Sequence, residues 1–491
     1  MTGFVEAARR EKLKELMERG VAPFAYRFER SATARQALGA YRDDTDATPY
    51  ALAGRLVALR PHGKTTFAHL EDASGKIQLY FKGDELGPDV YGLIELLDLG
   101  DHIGVSGRLM KTRTGEITLR VAQVTLLAKA LRPLPLGKED ASGIKHGELS
   151  DPELRYRQRY ADLAVHAEVR EVFRLRTRIV QGIRAFLDGQ GYLEVETPVL
   201  QPLYGGATAL PFKTHYEALD ATFYLRIADE LYLKRCIVGG LEKVYEIGHD
   251  FRNEGLSRFH NPEFTMAEWY QAYADYNDMA ELTEAMLSSL VLDLFNSRVL
   301  ERHGATLSFE RPFARKDYFG LVREHASIDL ARTSDAELRK LLQRHNVADT
   351  EKLSGPKLVD EVFKTFVEPK LIQPTFVFDY PLELSPLAKP KRGDPTKVER
   401  WELFVQHREL ANAFSELNDP DEQRRRFEQQ AGFRAAGDAE AQQLDEDYLR
   451  ALEYGMPPAG GVGLGVDRLT MILADQTSIR DVILFPMLRP E

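Results

Sequence analysis

The residue pattern predicts an α+β chain, with a small five-stranded β-barrel in front and a larger region of mixed strands and helices behind. Three observations predict it. Residues 51–127 hold five short strand-like runs with one helical stretch after the third. The segment "VREVFRLRTRIVQGIRAFLDGQGY" repeats apolar residues at helical spacing and leads straight into strand-like "YLEVETPVL". Near the C-terminus, "PPAGGVGLGVDRLTMIL" reads as a glycine-rich strand entering a helix.

The elements follow in order. Residues 1–48 read as a helical arm: "MTGFVEAARREKLKEL" is charged and amphipathic, without the apolar core of a signal peptide. The barrel runs are "ALAGRLVALR", "TFAHLED", "KIQLYF", "DHIGVSGRLMKT" and "EITLRVAQVTLL", punctuated by "PHGK", "DASG" and "RTG". Between the third and fourth, "DELGPDVYGLIELLDLG" suits a short helix. Five strands with a helix in that place fit a closed OB-type barrel over 49–128, although spacing alone admits another small barrel. Residues 129–150 are rich in proline, glycine and charge and read as a linker with a loop. A second domain then covers 151–491. In its first helix Val172, Leu175, Ile179, Ile183 and Phe186 share a face, and Gly191 closes it. Residues 241–270 read as two strands joined by "EGLSRFHNP", and a mostly helical insertion lies around 275–370. Strands return at "TFVFDYP" and "WELFVQHRELANAFSEL".

A chain of 491 residues suggests about three domains. Its 43% hydrophobic and 29% charged residues describe a soluble globular protein, and no apolar run is long enough for a membrane span. The lone Cys236 excludes an internal disulfide and a cysteine-based zinc site, and points to the cytoplasm. A net charge of −11 argues against a generic nucleic-acid binder but leaves room for a local basic face. Residues 151–184 hold eight arginines and no lysine, either a contact surface or a helix face with ordinary ion pairs.

The segment "FRNEGLSRFHNPEFTMAEWY" concentrates charges of both signs among aromatics. Strand alternation puts Arg252 and Glu254 on one face of the first strand, and Phe264, Met266, Glu268 and Tyr270 on one face of the second. Arginine suits a phosphate or carboxylate held by two hydrogen bonds, and phenylalanine suits a flat base. In "RELANAFSEL", Asn412, Phe414 and Glu416 again share a face, while Glu402 and Glu409 flank a tight turn and suit Mg²⁺. Singly, each has a plainer reading as an ion pair, a structural histidine or core. Their convergence favours a site, because several acids buried together require cations. "GGVGLGVDR" lacks both the "GK[ST]" ending and the strand–helix–strand context of a dinucleotide or phosphate loop. Its glycines instead let a nucleotide lie against the strand, with Arg468 facing the phosphates.

These residues resemble a known family. "FRNEG…HNPEFT" is similar to the second signature motif of class II aminoacyl-tRNA synthetases, "GYLEVETPVLQPLYGGATALPF", centred on Pro198, to the first, and "GVGLGVDRL" to the third. "LRIADELYLKRCIVGGLEKVYEIG" and "ANAFSELNDP" resemble the lysyl-specific branch, and "AGRLVALRPHGK", "GKIQLYF" and "ALRPLP…LRYRQRYADL" extend the likeness over about residues 50 to 490. The resemblance implies an antiparallel sheet flanked by helices, and formation of lysyl-adenylate followed by transfer to tRNA(Lys). Arg252 and Arg468 are the implied catalytic residues. Glu254, His260, Asn261 and Phe264 join them around ATP, and Gly206, Glu230, Glu268, Tyr270, Asn412, Phe414 and Glu416 surround lysine. Glu402 and Glu409 are the implied Mg²⁺ ligands, and Arg60, Phe67, Gln78 and Glu116 the anticodon contacts. A homodimer without membrane attachment is implied as well.

Three positions depart from the family pattern. Phe259 stands where an arginine usually precedes the histidine, Leu210 where a basic residue is common, and Ala411 and Ala413 where many members have glycine. Three other readings are an aspartyl- or asparaginyl-type relative, an enzyme that attaches lysine to protein, and an RNA-binding protein with a decayed catalytic domain. The acids Glu230, Glu268 and Glu416 oppose the first, the barrel opposes the second, and the retained Arg252, Glu402, Glu409 and Arg468 oppose the third.

Overall fold

The computed structural model describes residues 2–43, 45, 47–139, 145–353, 355–435 and 443–490. The five N-terminal runs form β1 (Pro49–His62), β2 (Thr65–Asp72), β3 (Gly75–Lys82), β4 (His102–Lys111) and β5 (Ile117–Ala128). They close into a barrel in the order β1-β2-β3-β5-β4. Alternation decides what faces inward: Ala68, Leu70, Ile77, Leu79 and Phe81 are buried, and the residues between them face out. Closure brings backbones together at Gly107, where a Cβ would overlap the Arg120 carbonyl, so a side chain is excluded there. The stretch after β3 makes two helices, not one. Gly87, at φ 80°, ends Gly83–Leu86, and Pro88 starts Pro88–Leu96. Helix Thr2–Glu18 is tied down through Arg9, which donates to the carbonyls of Ala130 and Leu99 at 2.9 and 3.0 Å. The region expected to be a linker contains a hairpin, with Leu136–Glu139 paired to Lys145–Glu148; the residues between them lie outside the described set.

The molecule divides into two compact units, Met1–Arg155 with Tyr160–Val165, and Tyr156–Arg159 with His166–Glu491. Length suggested three, but one sheet organises the whole second unit. Its strands are β6 (Leu193–Glu194), β7 (Lys243–Phe251), β8 (Glu263–Ala272), β9 (Ala314–Asp317), β10 (Thr375–Phe378), β11 (Arg400–Val405), β12 (Arg408–Ser415) and β13 (Ala459–Gly465). The order is β9-β10-β11-β12-β13-β8-β7-β6. The central pairs are antiparallel, and the two outermost pairs are parallel. Helices Ala167–Gly189 and Tyr276–Phe295 pack on one face, where Ile179, Ile183 and Leu287 join Ala267, Trp269, Trp401 and Leu464 in the main core. On β8 the alternate residues Met266, Glu268 and Tyr270 turn to the other face.

One local expectation is corrected, and one open alternative is narrowed. "YLEVETPVL" is not one strand: only Leu193–Glu194 and Leu200–Gln201 pair, and Pro198, which has no N–H, lies between them. The arginines of 151–184 are largely used internally. Arg176 pairs with Asp467 at 2.5 Å, Arg184 with Glu194 at 2.9 Å, and Arg159 donates to the carbonyls of Arg480 and Leu484. No helix among the described residues is long and apolar enough to cross a membrane.

Candidate active site

A cavity of about 350 Å³ opens on the sheet face that carries Met266, Glu268 and Tyr270. The β7–β8 hairpin builds one wall, with Glu246 opposite Glu268 and Asp250 opposite Phe264. Strand β7 ends at Phe251, so Arg252 and Glu254 are not on a strand as expected but in the loop beyond it. That loop is held closed by the Arg252 N–H donating to Pro262 O at 2.9 Å. The Arg252 guanidinium then sits 5.1 Å from the Phe264 ring centroid, both facing the cavity. His260 is fixed by Ser257 (Oγ to Nδ1, 2.9 Å), and burial together with Arg468 and Arg252 lowers its pKa. Asn261 is engaged at both ends, donating to Glu263 O at 2.6 Å and accepting from the Met487 N–H at 3.2 Å.

The far end of the cavity is acidic. Glu230 opens the helix Glu230–Val238 under Gly206, whose φ of 89° and close approach to Ala228 and Glu230 (3.1 and 3.2 Å from a Cβ) require glycine. Glu268 accepts from the Tyr270 hydroxyl at 3.3 Å, and burial plus the charges of Asp250 and Glu230 raise its pKa well above the ordinary range. Glu416 is 1% exposed and ion-paired to Lys234, while burial pushes its carboxyl up to about 8. Behind this wall the buried Arg226 meets Asp229, Glu246 and Asp250 at 2.9, 2.6 and 3.3 Å.

The third wall comes from β11, β12 and β13. Arg400 links Asn412 (2.8 Å) to Glu402 (2.5 Å) and to Ser385 Oγ (2.8 Å). Glu402 also accepts from the Tyr380 hydroxyl at 2.8 Å. Burial, offset by Arg400 and increased by the Glu409 charge, pushes Glu402 up to about 7. Burial also opposes the charge on Glu409, but Arg468 and Arg400 hold its carboxyl below the ordinary value; Arg468 binds it at 3.1 Å. Arg408 lies 4.7 Å over the ring of Phe259, with its buried Nη1 lacking a hydrogen-bond partner.

Of the fifteen catalytic-domain candidates, all but Glu402 and Glu416 line the cavity. Those two are set behind it, held by Arg400 and Lys234. Sequence reasoning missed these two cations and Arg226 and Arg408. Lys234 follows Glu230 by four residues on one helix, and Arg400 precedes Glu402 by two on one strand, so spacing carried a signal for both. On the barrel, Arg60 is opposite Phe67, which is opposite Tyr80 at 4.9 Å between ring centroids. Gln78 is opposite His69 and donates to Glu116 at 2.7 Å. Tyr80 and His69, two residues from Gln78 and Phe67, are their neighbours in the barrel and were not singled out by the sequence reading.

The family model described as tRNA synthetases class II (D, K and N) matches residues 151–489. The chain belongs to the class II tRNA synthetases. The first unit of this class II synthetase matches a second model, the OB-fold nucleic acid binding domain, over residues 50–127. Similar proteins include the lysine–tRNA ligases of Carboxydothermus hydrogenoformans, 51% identical over 98% of this chain and 97% of the relative, and of Pelotomaculum thermopropionicum, 51% identical over 98% and 94%. The lysine–tRNA ligase of Halalkalibacterium halodurans is 48% identical over 98% of this chain and 96% of its own. The cavity of the class II synthetase thus pairs one cationic wall, Arg252 with Arg468, with an acidic end at Glu230 and Glu268.

Proposed function

We propose that the chain is a lysine–tRNA ligase that activates lysine with ATP and transfers the lysyl group to the terminal ribose of tRNA(Lys). The observation that carries the amino-acid choice is the buried trio Glu230, Glu268 and Glu416 at one end of the site. Acids buried this deeply favour a ligand that brings cations, and lysine brings two ammonium groups. An aspartate or asparagine pocket needs the opposite charge.

In this reading the α-ammonium meets Glu230 beside Gly206, and the ε-ammonium meets Glu416 and Tyr270, with Glu268 close by. Phe414 and Asn412 border the chain, and Phe264 stacks on adenine. Arg252 aligns the lysine carboxylate with the ATP α-phosphate; Glu254 and Asn261 border the nucleotide, and His260 and Arg468 meet its outer phosphates. A carboxylate oxygen attacks the α-phosphorus, and the bond to pyrophosphate breaks. The ribose hydroxyl of the tRNA end then attacks the lysyl carbonyl, and AMP departs. No side chain serves as nucleophile; positioning and charge neutralisation supply the rate. Glu402 and Glu409 fit a Mg²⁺ ion, since both offer hard oxygens and Glu409's charge helps to raise Glu402. Such an ion neutralises phosphate charge when bound.

On the barrel, Arg60, Phe67, Gln78 and Glu116 form the anticodon-reading face, with Phe67 and Tyr80 as the stacking pair. Exposed apolar residues Leu193, Val199, Leu200, Leu203 and Leu219 support a homodimer, and the single Cys236 supports a cytoplasmic setting. ATP–pyrophosphate exchange against a panel of amino acids tests the proposal. Exchange with lysine alone is expected. Exchange with aspartate or asparagine would show that the acidic end has been misread.

A further inference from the structure

Lys234 has no part in the reaction described above, yet its side chain has 0% exposure and sits at the centre of the acidic end. Its Nζ lies 2.5 Å from Glu230 Oε1, is ion-paired with Glu416 Oε2, and stands 5.2 Å from the Phe414 ring centroid. The geometry follows from the helix Glu230–Val238, which stacks residues four apart on one face, while Glu416 reaches over from the end of β12.

Stability does not explain such an arrangement. Burying an ammonium with two carboxylates carries a desolvation penalty of several kcal/mol per ion, roughly, and apolar residues often serve as well. Among the described residues, Lys234 is the sole basic side chain in ion-pair range of Glu230, Glu268 or Glu416. It engages Oε2 of Glu416. The other oxygen, Oε1, is buried without a hydrogen-bond partner and lies against Gly461, beside the Tyr270 ring.

We propose that Lys234 is the positioning residue of the amino-acid pocket: a built-in ammonium that orients Glu230 and Glu416 and makes their ionisation easier when the two ammonium groups of the substrate arrive. The proposal rests on the reading of the acidic end as the lysine site. Burial disfavours charge on both carboxyls, and the Lys234 ammonium is the largest force against it at each. Without that cation the acids keep their protons to higher pH, and the incoming ammonium meets neutral partners.

Exchange kinetics from pH 6.5 to 9.5 on K234M, K234Q, E416Q and the unaltered protein test this. K234M is expected to raise the lysine KM about tenfold or more near pH 7, with the ATP KM within about twofold. The deficit should shrink as pH rises above about 8, where the unaltered protein levels off while acids without their cation are still ionising. A deficit shared by lysine and ATP and constant with pH would make Lys234 merely structural, and no deficit at all would also overturn the proposal. E416Q with unaltered lysine kinetics would instead remove the site reading itself. If K234M does not fold, K234Q is read in the same way. If neither folds, the double variant K234M/E416Q replaces the pair as a unit. Recovery of its melting temperature supports charge pairing, and a collapse equal to that of the single variants overturns it.

Discussion

Gly461→Ala should damage lysine recognition out of proportion to its size. Gly461 lies on central strand β13, between Tyr270 of β8 and Phe414 of β12, with its α-carbon facing the acidic end. A Cβ built there overlaps Glu416 Oε1 and the Tyr270 ring. Neither can retreat, as Tyr270 is 3% and Glu416 1% exposed. Overpacking of this kind costs about 1–3 kcal/mol, a fall of a few degrees in melting temperature. The methyl group also occupies the approach to the free Glu416 oxygen. Loss of a charge-assisted hydrogen bond is worth about 1.5–3 kcal/mol, which converts to about a 10- to 150-fold drop in kcat/KM for lysine. Gly463→Ala is the internal control, two residues along the same strand. Its Cβ would meet only the flexible tip of Met266 at 3.2 Å and Glu268 Oε1 at 3.6 Å. The lysine KM at saturating ATP should there stay within about threefold, since a side-chain tip can shift. Pyrophosphate exchange and thermal melts on both variants decide it. A Gly461→Ala protein with unaltered lysine kcat/KM, or a Gly463→Ala protein equally damaged, would refute the placement of the ammonium.

Three further outcomes are expected. Glu416 has its pKa raised from 4.5 to about 8 in the lysine-free protein, so its contribution to stability is full at acid pH and is lost as pH rises through about 8. Lysine favours the ionised form, so kcat/KM for lysine should climb with pH, by up to about tenfold per unit, and flatten above about 8; a flat profile from pH 6.5 to 8.5 would contradict this. Glu409→Gln should raise the Mg²⁺ concentration for half-maximal exchange about tenfold or more, read by titration with the metal. Phe67→Ala should raise the KM for tRNA about 5- to 150-fold, from the roughly 1–3 kcal/mol of one stacked base, while tRNA-independent exchange stays intact.

The barrel was legible because its interior obeys a period of two: each of the five runs becomes a strand whose ends lie within two residues of the sequence reading. The same period put Met266, Glu268 and Tyr270 on one face, and the structure gathers them at one cavity. Legibility failed where a single residue ends an element. Gly87 splits a helix, and β7 stops one residue before Arg252, so this cavity-wall arginine is placed by a loop hydrogen bond that alternation does not describe. It failed again over charge. A sequence shows acids converging, but the cation that neutralises each depends on burial, which is a tertiary property. Even so, Lys234 lies one helical turn from Glu230, and Arg400 lies two strand positions from Glu402. An acid aimed inward therefore carries a constraint on its own element: the turn or the alternate strand position beside it is where its base can sit. On the proposed reading that base helps to decide which acids become charged for the ligand, so Lys234 matters to lysine recognition as much as the carboxylates beside it.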